Sequence, residues 1–400
     1  MAKRKKKIKR PGFIYVLLGA LLVVYAVCFK RHRVIKNLPK GLKPPYIIVG
    51  NHTSFYDFVY AFRSVYPERI NFVVARKYFH YSGLSLIMRL SRAIPKSLYQ
   101  PDTGTIMGIL TVLKQGGIIG IFPEGQIATS GITLDNGETI AKLVKKAEVP
   151  VVSVLTAGAY FSNPPWAKNG RRGRGESRAE LILTRDQVKD LPADAVMDRI
   201  RRSIYLDSYK WQKSKAYLYK GKNLASGLEN VLYICPHCYK EFDIETEGDT
   251  IICQSCGTKV SYGEDGHLYW KEKAYFKHLG DWLNWQLEQE RALVLKNEAY
   301  TITEPVELAM LKVRGRGTEL VGRGSFTADR HNYTYRGTLK GETVAMTFHT
   351  AATRYLPFDT GRNFQIYNKD LLYEFRPDNP KWCVKIANLC EVFFSLNERK

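Results

Sequence analysis

Pro44-Pro45-Tyr46-Ile47-Ile48-Val49-Gly50-Asn51-His52-Thr53-Ser54-Phe55-Tyr56-Asp57 carries the reading of this chain. The apolar run Tyr46 to Gly50, set off by a proline pair, reads as a buried strand. Beyond it, Phe55 to Tyr66 has helical apolar spacing, with His52 and Asp57 at the junction. Positions five apart in a regular helix point about 140° away from each other, so imidazole and carboxylate meet only if a turn separates them. With His52 in the loop and Asp57 in the first helical turn, the carboxylate accepts from one ring nitrogen and leaves the other free as a base.

The same rhythm continues outward. Asn71 to Ala75, Ile118 to Phe122, Val149 to Leu155 and Leu181 to Leu183 read as strands. Thr103 to Gln115, stopped by Gly116-Gly117, and Glu138 to Ala147 read as helices, and Thr184 to Tyr209 as one long helix. A second segment, Phe122-Pro123-Glu124-Gly125, also begins where a strand ends, the place where open α/β sheets present ligands. Asn163 to Arg178, with Arg171, Arg172 and Arg174 among glycines, reads as a basic surface loop, either phosphate-contacting or simply solvated.

Four hundred residues exceed one ordinary core, and the formal net charge of +23 calls for a polyanionic partner: nucleic acid, an anionic membrane surface or phosphorylated substrates. Position favours the membrane. Lys3 to Arg10 is almost wholly basic and runs into the uncharged stretch Gly12 to Phe29, expected to be a retained membrane anchor rather than a cleaved signal peptide. The flank Lys30-Arg31-His32-Arg33 is basic too, so charge does not orient a spanning helix, and re-entrant or interfacial insertion is the other option.

Cys235-Pro-His-Cys238 and Cys253-Gln-Ser-Cys256 are two CxxC knuckles, a pattern that puts four thiolates around one structural Zn²⁺; His237 is then a spectator. A thiolate site implies a reducing compartment and so the cytoplasmic face of a membrane. Glu241 to Asp249 makes the ribbon acidic, which argues against nucleic acid as its partner. Leu279 to Leu293 is helical. Short alternating segments follow (325–328, 332–337, 343–348, 364–367, 371–375), and Trp382, Ile386, Leu389 and Phe393 mark a closing helix. The expected architecture is an α/β domain followed by a zinc ribbon and a small β-barrel or sandwich resembling pleckstrin-homology domains. Its parts are a basic tip and membrane-inserting helix at 1–29, the α/β domain at 30–210, a connector at 211–230, the ribbon at 231–270, a helical linker at 271–298 and the β domain at 299–400.

Asn51-His52, four residues, Asp57, then Phe122-Pro123-Glu124-Gly125 resembles the glycerolipid acyltransferases typified by 1-acylglycerol-3-phosphate acyltransferases; Ala75-Arg76-Lys77 and Val149-Pro150-Val151 resemble further blocks of that family. The resemblance spans roughly residues 30–210. It implies transfer of an acyl group from acyl-CoA or acyl-carrier protein to a lysophospholipid hydroxyl. His52 is then the base and Asp57 its orienter, with Asn51, Arg76, Lys77, Lys96, Phe122, Pro123, Glu124 and Gly125 toward substrate. Gln126-Ile127 stands where the family has Thr-Arg, and Lys96 is the nearest match to a second arginine; a lysine lacks the planar fork that grips phosphate. These departures leave the acceptor open, and with it the alternative of a catalytically silent lipid-binding or scaffold protein.

Overall fold

The computed structural model describes residues 11–81, 83–99, 102–135, 137–312, 316–352, 354–368 and 371–397; the basic run Lys3 to Arg10 lies outside them. Strands β1 (His32–Lys36), β2 (Tyr46–Gly50), β3 (Ile70–Ala75), β4 (Ile94–Lys96), β5 (Ile118–Ile121), β6 (Val151–Ala157) and β7 (Gly175–Leu183) form one sheet in the order β1-β7-β6-β2-β5-β3-β4. The run from Tyr46 to Gly50 sits at its centre, parallel to β5 and β6, with all five residues buried. Its alternation sorts the two faces. Tyr46 and Ile48 join Phe62 and Val65 on one side, while Ile47 and Val49 join Ile109, Val144 and Ile200 on the other. Burying each large apolar side chain contributes about 1.5–3 kcal/mol, so a strand buried on both faces fixes the register of its neighbours.

The helices that serve the site are α1 (Phe13–Cys28), α2 (Asp57–Val65), α3 (Leu84–Leu90), α4 (Thr103–Lys114) and α5 (Thr139–Ala147). α4 starts where the Asp102 side chain accepts from the Thr105 amide, and it ends at the glycine pair. α1 is 16 residues long, about 24 Å, against a hydrocarbon core of roughly 30 Å. No helix among the described residues is long and apolar enough to cross a membrane, which corrects the spanning form of the anchor. α1 instead packs on α2. Gly19 permits the contact, since a Cβ there would fall 2.2 Å from the Phe62 ring, and Tyr15 meets the same ring edge-on at 5.2 Å. The outer face, including Phe13, Leu17, Leu21 and Val24, stays exposed.

Two further expectations change. The stretch from Thr184 to Tyr209 is broken into three helices, Arg185–Asp190, Ala193–Ile204 and Ser208–Lys215. Pro192 holds Leu191 extended at the first break. At the second, Leu206 exchanges hydrogen bonds with Thr133, and Asp207 then caps the next helix. The basic loop is only partly a loop: β7 begins at Gly175, and Arg171 is buried. Its guanidinium lies 4.9 Å from the Trp166 ring and 4.8 Å from the Tyr262 ring and donates to the Leu224 carbonyl. Arg171 is thus a bolt between the α/β domain and the ribbon. The expected connector is likewise packed, with Tyr219, Leu224 and Leu228 in the same core as Tyr262 and Trp282.

The ribbon is a four-stranded antiparallel sheet, and helix Leu279–Lys296 follows it. The C-terminal unit is a seven-stranded antiparallel sheet capped by helix Trp382–Asn397, whose Ile386, Leu389 and Phe393 are buried in its core. Its outer strands, Glu342–His349 and Phe358–Asp359, do not pair with each other among the described residues, so the unit is one open ladder and neither the closed barrel nor the two-sheet sandwich that were expected. Lys381 and Lys385 fasten this unit to the ribbon. Lys381 donates to the Phe242 and Ile244 carbonyls and to Glu245, and Lys385 reaches Glu241 at 2.7 Å and the buried Glu290 at 3.4 Å. Burial opposes the Lys385 charge, but Glu290 and Glu241 outweigh it and raise its pKa. The acidic segment of the ribbon is therefore turned toward lysines of the same chain.

Arg171→Lys keeps the charge but loses the guanidinium beside two rings and the planar donor set; a stability loss of about 1.5–3 kcal/mol is expected, read as a lower urea midpoint. A phosphate-contacting surface arginine would leave that midpoint unchanged.

Candidate active site

Adjacent parallel strands deliver two loops to one edge. In the register Ile48↔Gly120 and Val49↔Ile121, β2 and β5 end side by side, so residues 51–56 and 122–125 emerge together. Asn51 is buried and hydrogen-bonds both backbone groups of Thr156 in β6, at 2.9 and 2.8 Å, which ties the first loop to the sheet. His52 is locked next: its amide donates to Glu124 Oε1 at 2.6 Å, and its carbonyl accepts from the Ala128 amide.

The turn required between His52 and Asp57 is present. Asp57 opens α2, fully buried, and its Oδ2 accepts from the Thr53 and Ser54 amides at 2.7 and 2.8 Å and from His52 Nδ1 at 3.1 Å. Burial pushes the Asp57 carboxyl above the usual range, opposed by His52 and the two amides. With Asp57 accepting, Nδ1 carries the ring proton and Nε2 offers the lone pair. The ring also stacks on Phe122 at 4.6 Å, which fixes its plane.

The second segment acts from behind. Glu124 is buried, its Oε2 accepts from the Leu134 amide at 2.8 Å, and its carbonyl accepts from the Tyr99 hydroxyl at 3.2 Å. Burial raises the Glu124 carboxyl well above its ordinary value, opposed by the amides of Leu134 and His52. Gly125 turns the chain at φ +76°, and a Cβ there would touch the Tyr99 hydroxyl. Gln126 Oε1 is buried with no hydrogen-bond partner among the described residues.

His52 faces a cavity of about 1400 Å³, also lined by Pro123, Glu124 and Gly125. Leu18 and Leu22 of α1, Phe55, Phe58 and the α3 residues Leu84 and Ile87 make it apolar on one side. The cations expected at substrate divide. Lys96 lines the cavity, with one long contact from Nζ to the Ser97 carbonyl at 3.4 Å. Lys77 also lines it, but is buried and tied to Asp359 of the C-terminal sheet at 2.7 Å. Arg76 is drawn to Ser97 and Asp102, at 3.1 and 3.4 Å. The Thr53 and Ser54 amides, Tyr99 and the C-terminal residues were not foreseen; only the Thr-Ser pair ahead of a helix-opening Asp carried a local signal.

Residues 30–157 match the family model described as Acyltransferase. The α/β half of this chain therefore carries an acyltransferase domain, and its similarity to named 1-acyl-sn-glycerol-3-phosphate acyltransferases supports an O-acyltransferase. A 1-acyl-sn-glycerol-3-phosphate acyltransferase of Bacillus subtilis (strain 168) is 25% identical over 138 residues, covering 32% of this chain and 69% of that one. The crystal structure of the 1-acyl-sn-glycerophosphate (LPA) acyltransferase PlsC from Thermotoga maritima aligns at 18% identity and a TM-score of 0.42, covering 51% of this chain and 79% of that one. Residues 228–264 match a zinc-ribbon model described as DNA directed RNA polymerase, 7 kDa subunit.

The four cysteines of the ribbon suit that metal. Their sulfurs lie within 4.8 Å of one another, with Cys235–Cys256 and Cys238–Cys253 both at 3.7 Å. Four thiolates at Zn–S of about 2.3 Å around a tetrahedral ion are roughly 3.8 Å apart. His237 points away, its Nδ1 at 2.7 Å from the Tyr275 hydroxyl. Elemental analysis of the purified chain is expected to return one zinc per molecule, and Cys253→Ser to lose it together with a lowered thermal midpoint, since thiolate-bound zinc contributes folding free energy.

Proposed function

We propose that this protein transfers a fatty acyl group from a thioester donor, acyl-CoA or acyl-carrier protein, to the hydroxyl of a lysophospholipid at a membrane surface. The observation that carries the reading is His52, its Nδ1 held by Asp57 and its other face open to a large cavity that is apolar on one side and carries Lys96 on another. His52 Nε2 takes the proton of the acceptor hydroxyl as that oxygen attacks the thioester carbonyl. The C–S bond then breaks, and the imidazolium returns the proton to the departing thiolate, so ester and free thiol form with no covalent enzyme intermediate. Asp57 keeps the tautomer and stabilises the transient imidazolium. The cavity wall built by α1 and α3 offers a channel for the acyl chains, and the exposed outer faces of the same helices, including Leu17, Leu21 and Leu86, suit shallow insertion among lipids. The thiolate metal site supports the cytoplasmic face.

With labelled acyl-CoA or acyl-carrier protein and lysophosphatidate, His52→Ala is expected to lower transfer by roughly 10²- to 10⁴-fold, and Asp57→Asn to lower kcat with KM little changed. Wild-type rates in the His52→Ala protein would sink the reading. Leu17→Glu with Leu21→Glu is expected to reduce co-flotation with anionic vesicles while leaving the thermal midpoint unchanged, because both side chains are exposed.

A further inference from the structure

The cavity that holds His52 is walled in part by the C-terminal sheet, which contributes Arg354, Tyr355, Phe358, Asp359 and Arg362. These residues lie outside the segment matched as acyltransferase. They also sit close to the chemistry. Arg354 pairs with Asp135 at 2.5 Å; Asp135 follows Leu134, whose amide donates to Glu124 Oε2, and Glu124 Oε1 holds the His52 amide. Tyr355 meets the Tyr99 ring at 5.8 Å, and the Tyr99 hydroxyl donates to the Glu124 carbonyl. Two short routes thus run from the sheet to His52, both through Glu124.

The charges of the wall point to an anion. The lining carries six basic residues (Lys77, Lys96, Lys142, Lys146, Arg354, Arg362) against four acidic ones (Asp102, Glu124, Asp135, Asp359). Lys77 is neutralised by Asp359, and the Glu124 carboxylate faces backbone amides behind the site. Asp135 is shared by two guanidinium groups, those of Arg354 and Arg201, and Glu391 is the other carboxylate that Arg354 senses. A guanidinium has five donors in a planar fork, so one carboxylate contact leaves capacity for a bidentate phosphate.

We propose that the C-terminal sheet completes the acceptor site and that Arg354 binds the phosphate of the lysophospholipid. The proposal rests on the acceptor reading above. The acyl chain of the acceptor then lies toward α1 and α3, the phosphate against the sheet, and the reacting hydroxyl beside His52 between them.

The test is calorimetric binding of a short-chain lysophosphatidate and of the matching monoacylglycerol to the full chain, in the His52→Ala background so that no turnover intervenes. Adding Arg354→Ala is expected to weaken lysophosphatidate binding by at least about tenfold and Arg354→Lys by less, with monoacylglycerol unaffected. Asp135→Asn breaks the same ion pair but keeps the guanidinium, so lysophosphatidate binding should hold or tighten. No effect of Arg354→Ala overturns the proposal. So does an equal loss in Asp135→Asn, which makes Arg354 only a fastener between domains. Arg354-dependent binding in a protein whose wild type transfers no acyl group overturns the reaction and leaves the phosphate site standing; absent binding with measurable transfer does the reverse.

Discussion

The Glu124 carboxylate is the point on which the site hangs. It is buried, and it joins two loops that the sheet brings together but does not itself connect: one oxygen receives the His52 amide and the other the Leu134 amide. An interior carboxylate with only one of these donors would leave a charge half-satisfied, and each amide without the carboxylate would cost about 1–3 kcal/mol as a buried unpaired group. The arrangement therefore enforces itself. It also explains why the glutamate does not need to touch substrate to matter: by fixing the His52 backbone it fixes where the imidazole can go, and Asp57 and Phe122 then set tautomer and plane.

Everything C-terminal to the α/β domain bears on that point from outside. Arg171 bolts the ribbon to the first domain through Trp166 and Tyr262, while Lys381 and Lys385 bolt it to the sheet. The ribbon is thus a strut between the catalytic half and the sheet that walls the cavity. Its own apolar core is small, so a metal cross-link between the knuckles is a direct way to stiffen it.

What was legible in the sequence is what is local. Tyr46 to Gly50 announces a buried strand by composition alone, the His52–Asp57 spacing demands a turn, and two CxxC pairs define their own geometry. What was not legible depends on partners distant in the chain. Arg171 looks like a loop cation until Tyr262 arrives from the ribbon. The break at Pro192 in the stretch from Thr184 was local, but the second break comes only when Thr133 pulls Leu206 out of the helix. Strand periodicity in the C-terminal unit marked its strands, but it says nothing about which turn of that sheet meets the first domain. Arg354, Tyr355 and Asp359 were invisible for that reason.

The same distinction governs the charge. A net +23 suggests a surface ready for polyanions everywhere, yet availability depends on pairing. Lys77 stands in the expected place and is buried against Asp359; Arg76 is drawn to Ser97 and Asp102. Two of the cations that the motif of the first domain offers are thus engaged within the protein, whereas Lys96 makes a long contact to the Ser97 carbonyl at 3.4 Å. On the proposed reading, recognition of an anionic headgroup becomes a property of the junction between the domains. A chain cut back to its α/β half would keep His52 and Asp57, but it would expose Lys77 without its counter-ion and open the cavity on the side where the sheet now stands.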